Sequence, residues 1–214
     1  MDSIITAIQD GGIWMAPIII ALVFAFAIVA ERFVYILGAK SNQKALMAEI
    51  RSAIQGANYQ KAVQLCSGSG KQALPTVLLA GLKKAHNPGK DLKDMESALE
   101  QASMEAFPKL TARMAFLPML ANVATLVGLL GTIVGLIEAF DAVASAAPDQ
   151  KQVMLAKGIA KAMYTTAGGL IAAIPTLVAN SVLTSMISGI MDSIDQSAIA
   201  LLNEVRSSQS TAAK

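Results

Sequence analysis

The chain alternates between two textures of apolar and polar positions. Residues 13–30 are an unbroken apolar run of eighteen with Pro17 near its start; residues 114–137 and 162–191 carry no charge over twenty-four and thirty positions. As helices rising ~1.5 Å per residue, the first two match a ~30 Å hydrocarbon layer and the third, at ~45 Å, crosses it and continues. The pattern predicts membrane-spanning helices at 13–38, 114–140 and 158–191. Between the first two, Ala45, Leu46, Ile50, Ala53 and Ile54 recur at helical spacing, and Gly56 and Asn58 end that pattern. Further helices are expected over Tyr59 to Cys66, from Pro75, and from Asp91 to Arg113, where Leu92, Met95, Leu99, Ala102 and Ala106 share a face running straight toward the second span. After the third span, Ile194, Ala198, Leu201, Leu202 and Val205 mark an amphipathic continuation, with the serine-rich end expected to be disordered.

Charge sets the orientation. Eleven of the seventeen Lys and Arg residues lie between Lys40 and Arg113, while Asp2 and Asp10 precede the first span without a basic residue. The positive-inside rule then predicts a periplasmic N-terminus (1–12), a cytoplasmic helical region (39–113), a periplasmic loop (141–157) and a cytoplasmic C-terminal helix and tail (192–214). The acidic start also lacks the basic region of a cleavable signal, so the first run is read as an uncleaved span, with Trp14 and Tyr35 as interfacial anchors. The fold class is an all-α membrane protein with three transmembrane helices and long cytoplasmic helical extensions.

Composition agrees: mean hydropathy is +0.54 and 15% of residues are charged, beyond the range of a typical soluble domain. It also narrows the chemistry. One cysteine, Cys66, excludes an intramolecular disulfide, that cysteine with the single histidine, His86, argues against a zinc site, and no group of paired carboxylates, histidines or cysteines suggests an enzyme. The segment CSGSGK at 66–71 lacks the GxxxxGK[ST] spacing of a phosphate loop and reads as a turn, as does HNPG at 86–89. No cofactor and no nucleic acid are expected.

What remains unexplained by lipid anchoring is polar or small. Gly128, Gly131 and Gly135 in the second span, and Gly169 in the third, suit close helix packing. Asn122, Thr125 and Thr132 fall on roughly one face; Thr165 and Thr166 sit in the third span, and Pro175 removes a helical hydrogen bond from Ile171, predicting a kink. A threonine hydroxyl in a span either bonds back to a carbonyl one turn earlier or serves a polar path. If the connecting loop is centred near Asp149, Thr132 lies level with Thr166, Glu138 with Lys161 and Asp141 with Lys157. A lone charge within a span is costly, so Glu138 and Lys161 are expected to pair, or else to snorkel separately to the headgroups.

The stretches GLLGTIVGLIEAF at 128–140 and GIAKAMYTTAGGLIAAIPTLVAN at 158–180, with one span, a large insert and two long spans in that order, resemble the MotA, TolQ and ExbB proton channel family, the three-span ExbB and TolQ type above all. The resemblance implies a homopentamer in the bacterial inner membrane whose second and third spans line a pore. The same resemblance implies that a dimer of single-span proteins of the ExbD or TolR kind occupies that pore. Protons, or sodium ions, would then drive envelope work: import, Tol-type maintenance or surface motility. It assigns Thr132 and Thr166 to the ion path. One departure stands out, because the family pattern has glutamate where this chain has Lys161, and five lysines around a pore would oppose cation passage unless paired, deprotonated or turned outward. The alternative function is a non-conducting membrane scaffold, in which the polar residues act as helix glue.

Overall fold

The computed structural model describes residues 12–39, 43–56, 58–68, 72–85 and 92–212. They form a 3-10 turn, Gly12–Trp14, and seven helices: α1 (Met15–Ala39), α2 (Gln43–Gln55), α3 (Tyr59–Ser67), α4 (Ala73–Ala85), α5 (Leu92–Thr111), α6 (Phe116–Ala144) and α7 (Lys151–Ala212). Three helical stretches are long and apolar enough to cross a membrane, one through α1, one through α6 and one through α7. Residues 1–11 and Lys40, and the turns expected at 69–71 and 86–89, lie outside the described residues.

The helix bounds depart from expectation at four places. Helix α4 begins at Ala73 rather than Pro75, since proline is tolerated throughout a first turn, where its missing N–H has no carbonyl to meet. Helix α5 stops at Thr111, two residues short of the expected Arg113. Arg113 takes φ 63°, alone among the described non-glycine residues in doing so. That left-handed conformation costs about 1–2 kcal/mol; beyond it α6 starts on short Phe116 N–H to Arg113 carbonyl (3.2 Å) and Leu117 N–H to Met114 carbonyl (3.1 Å) bonds. The second and third spans are joined by only 145–150. Helix α7 then runs 62 residues without interruption, ~93 Å at 1.5 Å per residue, through Pro175 and through the serine-rich end as far as Ala212. Beside Pro175, the buried Thr176 hydroxyl donates to the Ala172 carbonyl at 2.8 Å.

The chain divides into two compact units. The first comprises Met1–Glu31 and Arg113–Val182. Its interior is built from small residues: Ala21, Ala25, Ala121, Ala124, Ala172 and Ala173 are buried, with Met15 and Ile18 of α1 closing the cluster. Large apolar side chains face outward, as with Phe26 (73% exposed), Leu126 (64%) and Ile171 (69%). An apolar exterior around a small-residue interior is the arrangement that lets helix backbones approach inside a bilayer, where burying leucine gains nothing over lipid. Glu31 and Arg113, both in this unit, form an ion pair.

The second unit comprises Arg32–Ala112 and Leu183–Lys214, and it is packed like a soluble helical domain. Ile36, Ile50, Ile54, Leu78, Leu82, Met95, Leu110, Ile194 and Leu201 are fully buried. Each contributes roughly 1.5–3 kcal/mol through burial. Successive helices α2 to α5 pack on their neighbours. Asn58 caps α3 by accepting from the Lys61 N–H at 3.0 Å, and Cys66 is buried near that helix's end, where burial pushes its thiol up to about 11. Glu204 of α7 takes Arg51 at 3.0 Å and Gln55 at 2.8 Å, tying α2 to the last helix.

Candidate functional site

The seam between α6 and α7 follows from spacing. On α6, Leu117, Ala121, Ala124, Gly128, Gly131 and Gly135 alternate steps of four and three; on α7, Gly158, Ala162, Thr165, Gly169, Ala172 and Thr176 do the same. A heptad alternation keeps one narrow face against a partner helix, and here nearly every facing position is small. A methyl group on Gly128 would stand 2.8 Å from the Thr165 carbonyl oxygen, and one on Gly169 would stand 2.7 Å from that of Ala124. The backbones touch, so only glycine fits at those two positions. Gly131 against Thr165 and Gly135 against Ala162 continue the contact.

Close approach puts the threonines on a carbonyl. Thr165 Oγ1 lies 3.1 Å from the Gly128 oxygen and 2.7 Å from that of Ala162; Thr166 Oγ1 lies 3.1 Å from the same Gly128 oxygen. Each hydroxyl has one proton. Thr166 can therefore donate across the seam to Gly128 while Thr165 donates within its own helix or shares its proton between the two acceptors. Both oxygens keep acceptor capacity. Thr125 and Thr132 bond back within α6, to Ala121 (3.0 Å) and Leu129 (2.6 Å). At about 100° per residue, Thr125 and Thr132 stand about 60° and 40° round the helix from Gly128. Thr165 and Thr166 thus meet at the Gly128 carbonyl while Thr125 and Thr132 lie about a turn to either side of it on α6; Thr165 is buried, Thr166 and Thr132 half-buried and Thr125 exposed.

The register differs from the sequence estimate. The loop at 145–150 is centred between Ala147 and Pro148, not at Asp149, and Thr165 and Thr166 consequently meet Gly128, one turn from Thr132, so Thr132 and Thr166 are not directly level. Farther toward the connecting loop, Glu138 and Lys161 line one small cavity of about 60 Å³ together with Thr165, Gly135 and the Gly12–Trp14 turn. No ion pair within 4.0 Å joins Glu138 to Lys161 among the described residues; the cavity between them has room for a few waters, which is the ordinary way polar groups couple beyond direct reach. Gly12, with φ 66°, packs beside the Lys161 side chain.

Two contributors were absent from the sequence reading. Gly158 meets Ala139, where a methyl group would stand 2.3 Å from the alanine Cβ, and Gly168 meets Met15 of α1. The heptad spacing announces Gly158; nothing local announces Gly168, whose partner is more than 150 residues away.

Residues 69–196 match the MotA/TolQ/ExbB proton channel family. The chain belongs to this family. The matched interval holds all of α6 and the membrane part of α7, and with them the threonine seam. Biopolymer transport protein exbB1 of Vibrio cholerae is 30% identical over 181 residues, covering 83% of this chain and 77% of its own. An ExbB-like biopolymer transport protein of Synechocystis is 27% identical over 184 residues, covering 85% and 71%. Tol-Pal system protein TolQ of Haemophilus influenzae is 36% identical over a shorter stretch of 99 residues, 46% of this chain and 43% of TolQ. Similarity to the TolQ relative is therefore partial, whereas the other two extend along most of the chain.

Proposed function

We propose that the chain is the channel-forming subunit of a proton-driven motor in the bacterial inner membrane, with its N-terminus periplasmic and its C-terminus cytoplasmic. The observation that carries the proposal is the convergence of the Thr165 and Thr166 hydroxyls on the Gly128 carbonyl, within two charge-free spans of a member of a proton channel family. A hydroxyl that donates to a carbonyl can accept from a protonated carboxyl; released from the carbonyl, it can donate to the ionised form. Such a group serves both states of a carrier without a permanent charge. The carrier is supplied by a single-span partner dimer of the ExbD or TolR kind, held within a homopentamer of this chain. Glu138 and Lys161, lining one small cavity, tune the charge at the periplasmic mouth. The load is envelope work of the kind named in the relatives, biopolymer transport or Tol-Pal function, with motility as the third case.

A scaffold without conduction has its own support, since all four hydroxyls donate to main-chain carbonyls and so already have a structural use. Voltage-driven ion uptake separates the two. The complex purified with its partner and placed in proteoliposomes is expected to acidify the lumen under an inside-negative potential, with sodium present or absent. Uptake that requires sodium would reassign the ion, and no uptake with a bound partner would favour the scaffold.

A further inference from the structure

The second unit holds a cavity of about 340 Å³ between the end of α1 and the α4–α5 pair, lined by Tyr35, Thr76, Glu105 and Lys109 with Ala102 and Ala106 at its base. This is the scale of a small-ligand site, about 300–1,000 Å³. We infer that it binds the headgroup of a bilayer phospholipid that carries both a phosphate and a primary ammonium, that is, a phosphatidylethanolamine-type lipid.

Depth is the first argument. A helix needs about twenty residues to cross the hydrocarbon layer, so α1, starting at Met15, emerges near Val34, and Tyr35 stands at headgroup level, where tyrosine is enriched. On the same two helices, but not lining the cavity, Phe33, Val34 (71%) and Leu37 of α1 and Met104 (65%) and Phe107 of α5 are exposed. The helices that bear the site therefore carry apolar surface suited to acyl chains, which a water-soluble phosphate compound lacks.

Polarity is the second. Lys109 and the Tyr35 hydroxyl supply donors suited to a phosphate. Glu105 supplies a carboxylate with one oxygen accepting from Gln101 at 3.2 Å and the other available, and Thr76, whose proton goes to the Gln72 carbonyl at 2.8 Å, can only accept. A site lined by both donors and acceptors fits a zwitterion whose ammonium donates hydrogen bonds. Phosphatidylglycerol has no cation for Glu105, and a choline headgroup has no N–H to offer.

Third, Glu105 and Lys109 stand four residues apart in the order that ordinarily closes a helical ion pair, yet no such pair within 4.0 Å forms between them among the described residues. The two charges are presented separately into one cavity. Arg32 acts as a positioning residue. It donates to the Lys109 carbonyl at 3.3 Å and lies 4.8 Å from the centre of the Tyr35 ring, which fixes the end of α1 against α5.

The test uses the full chain in nanodiscs made from equal parts of phosphatidylethanolamine, phosphatidylglycerol and phosphatidylcholine, with retained lipid measured by native mass spectrometry after release. The wild type is expected to retain phosphatidylethanolamine at least threefold over either competitor. Lys109→Gln and Glu105→Gln should each erase that preference, Lys109→Arg should keep it, and all three should leave the thermal midpoint unchanged because the side chains are exposed. Four outcomes overturn the inference: no headgroup preference, a preference for phosphatidylglycerol, a preference indifferent to both glutamine variants, or calorimetric binding of free phosphoethanolamine as tight as that of the lipid. The assay reads lipid rather than ion flux, so it stands or falls apart from the channel proposal.

Discussion

At the residue scale, Gly128 has the most demanding position in the molecule, because it carries a backbone contact and a carbonyl that two hydroxyls share. Gly128→Ala would push its new methyl against the Thr165 carbonyl oxygen at 2.8 Å and the Thr166 Cα at 3.2 Å, neither of which can swing aside. Forced separation of this kind costs about 1–3 kcal/mol. Gly189, also in a helix, has nothing within 4 Å of an added methyl, and Gly189→Ala should gain roughly 0.5–1 kcal/mol from helix propensity. Thermal unfolding in detergent should therefore move down for the first variant and up for the second. Cys66 is a different kind of residue. Its folded thiol is raised from 9.0 to about 11 by burial, so the stabilisation it gives is present in full below about pH 9 and is lost as pH rises through about 11. Thiol labelling at pH 8 should be slow in the folded protein and fast in denaturant; equal rates would contradict the burial.

At the element scale, the sequence showed the spans clearly, since a run of thirty uncharged residues has few other uses. It also held the α6–α7 seam, written as alternating steps of three and four among small residues. Register was not legible, because it depends on how many loop residues remain helical. Ala144 and Lys151 stay in their helices, and that moved the threonines' meeting point by a turn. The break between α5 and α6 was equally hidden: Leu92 to Ala106 has continuous helical periodicity, and Arg113 is not a residue type that announces a left-handed backbone. The break makes a prediction of its own. Asparagine tolerates φ near 63° and a β-branched residue does not. Arg113→Val should accordingly lower the thermal midpoint more than Arg113→Asn, by an amount corresponding to about 1–2 kcal/mol. Both variants lose the ion pair with Glu31, so the difference isolates the backbone.

At the scale of the whole molecule, the first unit turns small residues inward and large apolar ones outward, while the second has the buried isoleucines and leucines of a water-soluble domain. The contrast is the physical signature of one chain folded for two solvents. Within the first unit, Lys161 places a positive charge in the cavity it shares with Glu138, and in an oligomer its effect is multiplied by the number of copies. Lys161→Gln should raise voltage-driven cation uptake severalfold in proteoliposomes; unchanged uptake would place the lysine away from the path. The central claim is that Thr166 belongs to that path, and a matched pair of variants tests it most directly. Proton uptake by the reconstituted complex should survive Thr166→Ser, which keeps the hydroxyl, and should fall at least tenfold in Thr166→Val, which keeps the shape and removes it. Uptake in the valine variant equal to that of the wild type, with assembly intact, would contradict the account.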